Sequence, residues 1–335
     1  ISTSIPRMRM TLISIGLSTV FLGLGYLIYI TATDAGTPLT VPPSTFLATT
    51  TGYEFHANRF VFLGKKANGD DILINIDANR KEVEGGAFIH YYMADVVNGR
   101  SATPYYLERT AHTRDVLPDH FFSEFVRTLP EDHSAREAYA LQFAIGGHTY
   151  QIETDMITSD FLIKNEPEYS AYIGAGKARG TVDGEPIAFH AMIERIYSTD
   201  YRPTIFFDPE GKMQSETVQL VLWDDAGNFS LVDRSRVDST SSAYSSHFWV
   251  ILRGALGQVQ RVFDGDAHFS KQQSEALFRA YYDVLGNPEV VEVKIAVPFS
   301  DTSEEGYVEG EVRGVTDTRS VRGLGYYHEY GRGND

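Results

Sequence analysis

The chain has no cysteine. Disulfides, thiolate metal sites, iron–sulfur clusters and thiol nucleophiles are therefore excluded. Tryptophan is scarce, with 2 residues, and positive charge is in deficit: 29 Lys and Arg stand against 45 Asp and Glu, a formal charge of −16. Such a surface repels nucleic-acid backbones and anionic lipid headgroups, so no nucleic-acid partner is expected. The chain has no phosphate loop, no dinucleotide fingerprint, no HExxH and no GxSxG, which argues against the chemistries those motifs serve. The 10 histidines do not recur at ligand spacing: His120 and His133 fall in a loop-like stretch and His268 stands alone. No metal is expected.

What is present favours strands. Of the 335 residues 42% are hydrophobic, and 20 Tyr, 20 Phe and 29 Gly suit pleated surfaces and tight turns better than helices. One segment differs. Thr11 to Thr33 carries no charge and is mostly apolar; at ~1.5 Å per residue a helix of this length reaches about 34 Å, enough to cross a hydrocarbon core of ~30 Å. Arg7 and Arg9 precede it and Asp34 follows. The positive flank places the N-terminus in the cytoplasm and the remainder outside. Thr11, Leu17, Phe21 and Gly23 lie along this anchor, and Tyr26 and Tyr29 fall near its exit end, where amphipathic rings favour the interface. A cleaved signal peptide is the rival reading, but the apolar run is long for one and Ala32-Thr33-Asp34 is a poor cleavage site.

The expected organisation is a cytoplasmic tail (1–10), a transmembrane helix (11–33), a Thr/Pro-rich linker (34–52) and two β-domains (53–214 and 215–335). Residues 58–80 read as a hairpin turning at Asn68-Gly69-Asp70, and 139–156 as another around Gly146-Gly147. Further strands are expected near 161–164, 179–183, 187–197, 217–223, 229–232 and 247–255, and through the tail from 290 to 330. Two helices are expected. One is short and lies within 112–137, where Phe121, Phe122 and Phe125 have helical spacing. The other spans 270–285, with Ser270 as N-cap, Gly286 as C-terminal stop and Pro288 beyond.

Three segments carry the remaining signal: 174–198, 215–238 and 306–331. The first is a glycine-rich strand pair leading to Met192-Ile193-Glu194-Arg195-Ile196-Tyr197. The second holds Gln219-Leu220-Val221-Leu222-Trp223 and the turn Asp225-Ala226-Gly227. The third pairs Tyr307-Val308-Glu309-Gly310 with Gly323-Leu324-Gly325-Tyr326-Tyr327-His328-Glu329. In order and spacing they resemble the lipocalin-like double-barrel family that includes carotenoid 1,2-hydratase, AttH-type proteins and some fungal hydratases and cyclases. The resemblance covers roughly 55–331 and is strongest after 174. It implies a mostly β protein of two tandem lipocalin-like antiparallel barrels or sandwiches with one or two short helices, here preceded by the single transmembrane helix.

The chain departs from that family at the strand that looks catalytic. Where relatives carry Trp-x-Asp-Arg-x-Trp, Glu194 keeps an acid and Arg195 is retained, but both tryptophan positions are lost. Hydrating an isolated alkene needs a shielded acid to protonate carbon, and aromatic faces that tolerate the resulting cation. Glu194 is the candidate acid, with Arg195 and Tyr197 beside it and Phe206 and Phe207 as further aromatic faces. The plainer alternative has Glu194 and Arg195 facing outwards or forming a structural ion pair, Glu309 and Glu329 closing the last hairpin, and Trp223 and Trp249 in the core.

The eroded motif leads to a first expectation of a non-catalytic, membrane-anchored accessory subunit. Its partners would be the lipid bilayer and an integral membrane complex of a bacterial inner membrane. The family's link to carotenoid synthesis points to a photosynthetic reaction-centre or light-harvesting complex, with the β-domains periplasmic. The first alternative is a hydratase adding water to a terminal isoprenoid double bond. The second is a carrier holding a carotenoid or other lipid. No cofactor is expected beyond such a bound carotenoid.

Overall fold

The fold is seen in a computed structural model that describes residues 55–83, 87–111, 126–128, 136–155, 157–158, 161–166, 169–198, 215–237, 247–272, 275–300 and 303–330. The first half contributes β1 (Phe55–Lys65), β2 (Asp71–Val83), β3 (Ala87–Asn98), β4 (Ser101–Ala111), β5 (Val126–Thr128), β6 (Arg136–Glu137), β7 (Tyr139–Ile145), β8 (His148–Thr154), β9 (Ile157–Thr158), β10 (Phe161–Glu166), β11 (Tyr169–Val182) and β12 (Glu185–Ser198). The second half contributes β13 (Ser215–Asp224), β14 (Phe229–Val237), β15 (His247–Arg253), β16 (Val259–Val262), β17 (Gly265–Gln272), β18 (Glu275–Val284), β19 (Asn287–Pro298), β20 (Glu305–Arg313) and β21 (Thr318–Tyr330).

These strands form two curled antiparallel sheets. The first runs β4-β3-β2-β1-β12-β11-β8-β7-β5 with β10 beside β11, as a half-barrel; the second runs β16-β15-β14-β13-β21-β20-β19-β18-β17 and nearly closes. β6 and β9 make a separate short ladder. The apolar runs in the sequence arise because many strands are buried on both faces. In β1, Phe60 and Phe62 point into the concave interior of the first sheet with Ile72, Ile74 and Phe189. Val61 and Leu63, of opposite parity, point into a layer between the sheets shared with Val221, Trp223, Leu231, Trp249 and Leu324. β13 repeats the pattern: Val218, Leu220 and Leu222 line the concave interior of the second sheet. Fully burying such side chains contributes about 1.5–3 kcal/mol each.

The hairpins follow turn chemistry. Asp183-Gly184 and Leu285-Gly286 both have positive φ at their two central residues (53° and 85°; 54° and 84°), the combination that matches the right-handed twist of the flanking strands. The Lys66–Asp70 turn is closed by Lys66 N–H donating to the Asp70 carbonyl at 2.8 Å. A side chain at Gly323 would collide with the Val221 carbonyl, and one at Gly325 with Val308 and Phe278. Gly323 is thus required by the close approach of β21 to β13, and Gly325 by the packing of Val308 of β20 and Phe278 of β18 against β21.

The helix expected over 270–285 is a correction: this stretch is the end of β17 and all of β18. Phe278, Ala280 and Tyr282 are buried while Arg279, Tyr281 and Asp283 are not, a period of two. The same residues place Phe278, Tyr281 and Tyr282 at helical spacing, and Gly286 serves a tight turn rather than a helix stop. Phe121, Phe122 and Phe125 of the other expected helix lie outside the described residues, as do the tail, the expected transmembrane helix with Thr11, Leu17, Phe21, Gly23, Tyr26 and Tyr29, and the linker. Among the described residues no helix is long and apolar enough to cross a membrane.

Candidate active site

Among the described residues the layer between the sheets is mainly apolar, with a row of polar side chains running through it. In the first sheet Arg59 of β1 sits directly opposite Asp77 of β2 and Glu194 of β12. Asn75 and Asp95 pair one step along the same strands. In the second sheet Gln219 of β13 sits opposite Asp233 of β14 and Tyr326 of β21, and Tyr326 sits opposite Glu305 of β20. Trp249 continues that row beside Asp233. Each polar residue has the parity of a buried apolar neighbour: Arg59 of Val61, Glu194 of Met192, Gln219 of Val221, Asp233 of Leu231. Strand alternation therefore carries them into the layer.

Arg59 joins the two rows. Its Nε donates to Asn75 Oδ1 at 2.9 Å, its Nη1 to Gln219 Oε1 at 2.5 Å and its Nη2 to Glu305 Oε1 at 2.9 Å. Asp77 lies 3.8 Å from Nε, and the guanidinium carbon sits 5.7 Å from the centre of the Tyr326 ring. Gln219 passes the chain on, its Nε2 donating to Asp233 Oδ2 at 3.2 Å. The sheets are also tied nearby. Tyr307 Oη donates to Asp71 Oδ2 at 2.7 Å, Arg322 Nη1 to Asp71 Oδ1 at 3.2 Å, and Arg253 to the Ala175 carbonyl.

This arrangement sets five carboxyl groups around one guanidinium, and their proton affinities respond. Burial pushes Glu194 up from 4.5 to about 7; Arg59 pulls it back and Asp77 adds to the rise. Burial likewise raises Asp233 to about 7, with the charge of Glu194 reinforcing it. Glu305 is raised to about 7 by burial despite its contact with Arg59. Asp95 is raised to about 6 by burial and by Asp77, and Asp77 itself is raised by burial against the pull of Arg59. For Arg59, burial acts downward, but Asp77, Glu305 and Glu194 outweigh it and keep the guanidinium charged. Near neutral pH the cluster thus holds several exchangeable protons in a shielded layer, a suitable composition for general acid–base work.

Of the residues singled out in the sequence, Glu194 lies in this cluster and is 8% exposed. Arg195 and Tyr197 follow on β12, opposite Asn58 and His56 of β1; their side chains, and Phe206 and Phe207, lie outside the described residues. Trp223 and Trp249 are buried in the inter-sheet layer, and Trp223 stacks on His190 at 6.0 Å. Glu309 stands opposite Lys294 and Arg322, and Glu329 opposite Glu216 near the chain end, away from the Arg59 row. Arg59, Asp77, Asp95, Asp233 and Glu305 were not among the sequence candidates. Their signal is a lone charged residue inside an otherwise apolar strand, at the parity of a buried face.

No protein-family model matches the chain, and no curated relative does. Solved structures do. An AttH-type protein of Nitrosomonas europaea superposes with a TM-score of 0.54 at 12% identity, covering 88% of this chain and 98% of that one. Kievitone hydratase of Nectria haematococca superposes with a TM-score of 0.57 at 9% identity, covering 89% and 95%. At these identities the likeness is one of fold, the lipocalin-like double-barrel arrangement. Neither likeness speaks for a photosynthetic accessory subunit.

Proposed function

We propose that the protein is a hydratase-type enzyme that adds water across a carbon–carbon double bond of a mainly apolar, isoprenoid-like substrate. The observation that carries this reading is Glu194: a carboxyl group buried between the sheets, raised to about 7, with a second buried acid, Asp233, close enough to feel its charge. Protonated Glu194 donates its proton to one alkene carbon. The cation left on the other carbon is steadied by the carboxylates and by the faces of Tyr326 and Trp249. Water adds to that carbon, and its surplus proton passes to Asp233. One C–H and one C–O bond form, the C=C π bond is lost, and proton exchange through solvent resets the pair. Arg59 holds the acids in place and lets part of the cluster ionise, while burial and the acids' mutual repulsion keep the rest protonated.

The hydratase among the structural neighbours favours this chemistry over the accessory-subunit reading, and the apolar segment at 11–33 would keep the enzyme beside lipid, where an apolar alkene resides. The test is expression in a host that accumulates lycopene or neurosporene, alongside incubation of the purified chain with kievitone in H2-18O. The expected product is heavier by one water and carries the label on carbon; it is lost in Glu194→Gln and falls at least a hundredfold in Asp233→Asn, the scale of general acid–base catalysis. Equal water addition by wild type and Glu194→Gln would overturn the assignment.

A further inference from the structure

Glu194 and Asp233 face the same layer, and burial raises both to about 7. Their repulsion is mutual, so it limits how many charges the pair carries without choosing between them. The hydrogen bonds do choose. Asp233 accepts from two donors, Gln219 Nε2 at 3.2 Å and the hydroxyl of buried Ser235, two residues along β14 on the same face. Both favour its charged form. Glu305 likewise accepts from Arg59 at 2.9 Å and from Asn75 at 3.4 Å, and Asn75 also bonds to Asp77. Among the described residues no hydrogen bond reaches Glu194. Arg59 acts on it as a charge across the strand pair, and directs its N–H groups to Asn75, Gln219 and Glu305.

The orientation of the Gln219 amide is forced. A guanidinium has donors and no acceptor, so the amide atom that meets Arg59 Nη1 is the oxygen. The nitrogen is left to face Asp233. Gln219 is buried, flanked by Asp233 on β14 and Tyr326 on β21, and has little room to turn away. An amide N–H held against a carboxyl oxygen stabilises the anion more than the neutral acid. Arg59 therefore acts on Asp233 through Gln219: the cation turns the amide, and the amide marks the acid that ionises.

We propose that Gln219 is a positioning residue that gives the two acids their separate roles: its amide, held by Arg59 and aided by Ser235, keeps the charge on Asp233 and the proton on Glu194. This role rests on Glu194 acting as the acid and Asp233 as the base, and it prepares the pair before the alkene arrives.

The test is infrared difference spectroscopy of the full-length chain at pH 7, without substrate, reading the C=O stretch of protonated carboxyl groups. Chains labelled with 13C at the Asp or at the Glu carboxyls separate the two residue types. Gln219→Met is expected to lose a protonated Glu band and gain a protonated Asp band relative to wild type. The proton's distribution should move roughly tenfold towards Asp233, the weight of one hydrogen bond to a charge. The gain should vanish when Asp233→Asn is added. Ser235→Ala, which leaves the Arg59 contacts in place, should move the bands the same way by about three- to tenfold. In turnover, the acid limb of the kcat profile should move to higher pH in both variants while KM changes little. An Asp band unchanged in both variants would overturn the role, and so would an unchanged band in Ser235→Ala alone if Gln219→Met does not fold. The bands are read without substrate, so a chain that moves its proton as expected yet hydrates nothing would sink the enzyme reading and still support Gln219 as the residue that places the proton.

Discussion

Strand β1 is buried on both sides, but its two faces meet different surroundings. Phe60 and Phe62 enter an apolar interior, where they stack with ring centres 6.4 Å apart and Phe60 meets the edge of Tyr139 at 5.1 Å. Arg59, one residue earlier and on the other face, enters a layer that holds five acids. Stability on the first face depends on packed volume and hardly on solution conditions. On the second it depends on how many protons the cluster holds. A sheet protein can thus keep its folding core and its chemistry on opposite sides of the same strand, separated by side-chain parity alone.

Perturbing the two faces separately should expose that difference. Arg59→Met is expected to have the largest effect, destabilising by about 3–5 kcal/mol at pH 8, because the acids lose the cation at their centre. Urea unfolding should show this cost shrinking towards pH 5 as the acids take up protons. Phe278→Ala, in the interior of the second sheet, is expected to cost a comparable 3–5 kcal/mol through cavity formation. That cost should stay flat across the same pH range; a cost that tracked pH would break the comparison.

The next effect has the opposite sign. Glu194 has a folded-state value raised from 4.5 to about 7. Between those values the folded chain binds more protons than the unfolded one, so this group makes stability fall as pH rises through the window and leaves it constant above. Glu194→Gln should therefore unfold at higher urea than wild type at pH 8, by about 2–4 kcal/mol, and match it near pH 5. The same variant should lose activity, so stability and function would move in opposite directions at one residue. The smallest effect is expected at the turn: Leu285→Gly relieves a left-handed backbone and should raise stability by up to about 1 kcal/mol, read by thermal unfolding.

Much of the strand pattern is legible from residue order. Asn68-Gly69 and Gly146-Gly147 mark hairpins because glycine readily takes the positive φ found there, and the unbroken apolar run Leu220-Val221-Leu222-Trp223 marks a strand buried on both faces. Residues 270–285 read as helical from Ser270, Gly286 and Pro288, and Phe278 and Tyr282 share a face in either period; only pairing with β17 and β19 decides between them. Glu194 was visible through a family-like pattern, whereas its partners were not: Arg59, Asp233 and Glu305 come from strands far apart in the chain, and which of them meet depends on how one curled sheet lies against the other. Parity alone would have placed each in a buried layer without saying with whom.

Arg59 is rooted in one sheet and ends in the other, so it works as a clasp. Its Nη1 and Nη2 contacts both reach second-sheet side chains, and parting the halves must undo both. The grip on Glu305 is that of a charge when the acid is ionised and only that of a dipole when it is neutral. Acidification therefore slackens the clasp while it relieves repulsion among the acids, so the readiness of the two halves to gape should follow the same titration that arms Glu194.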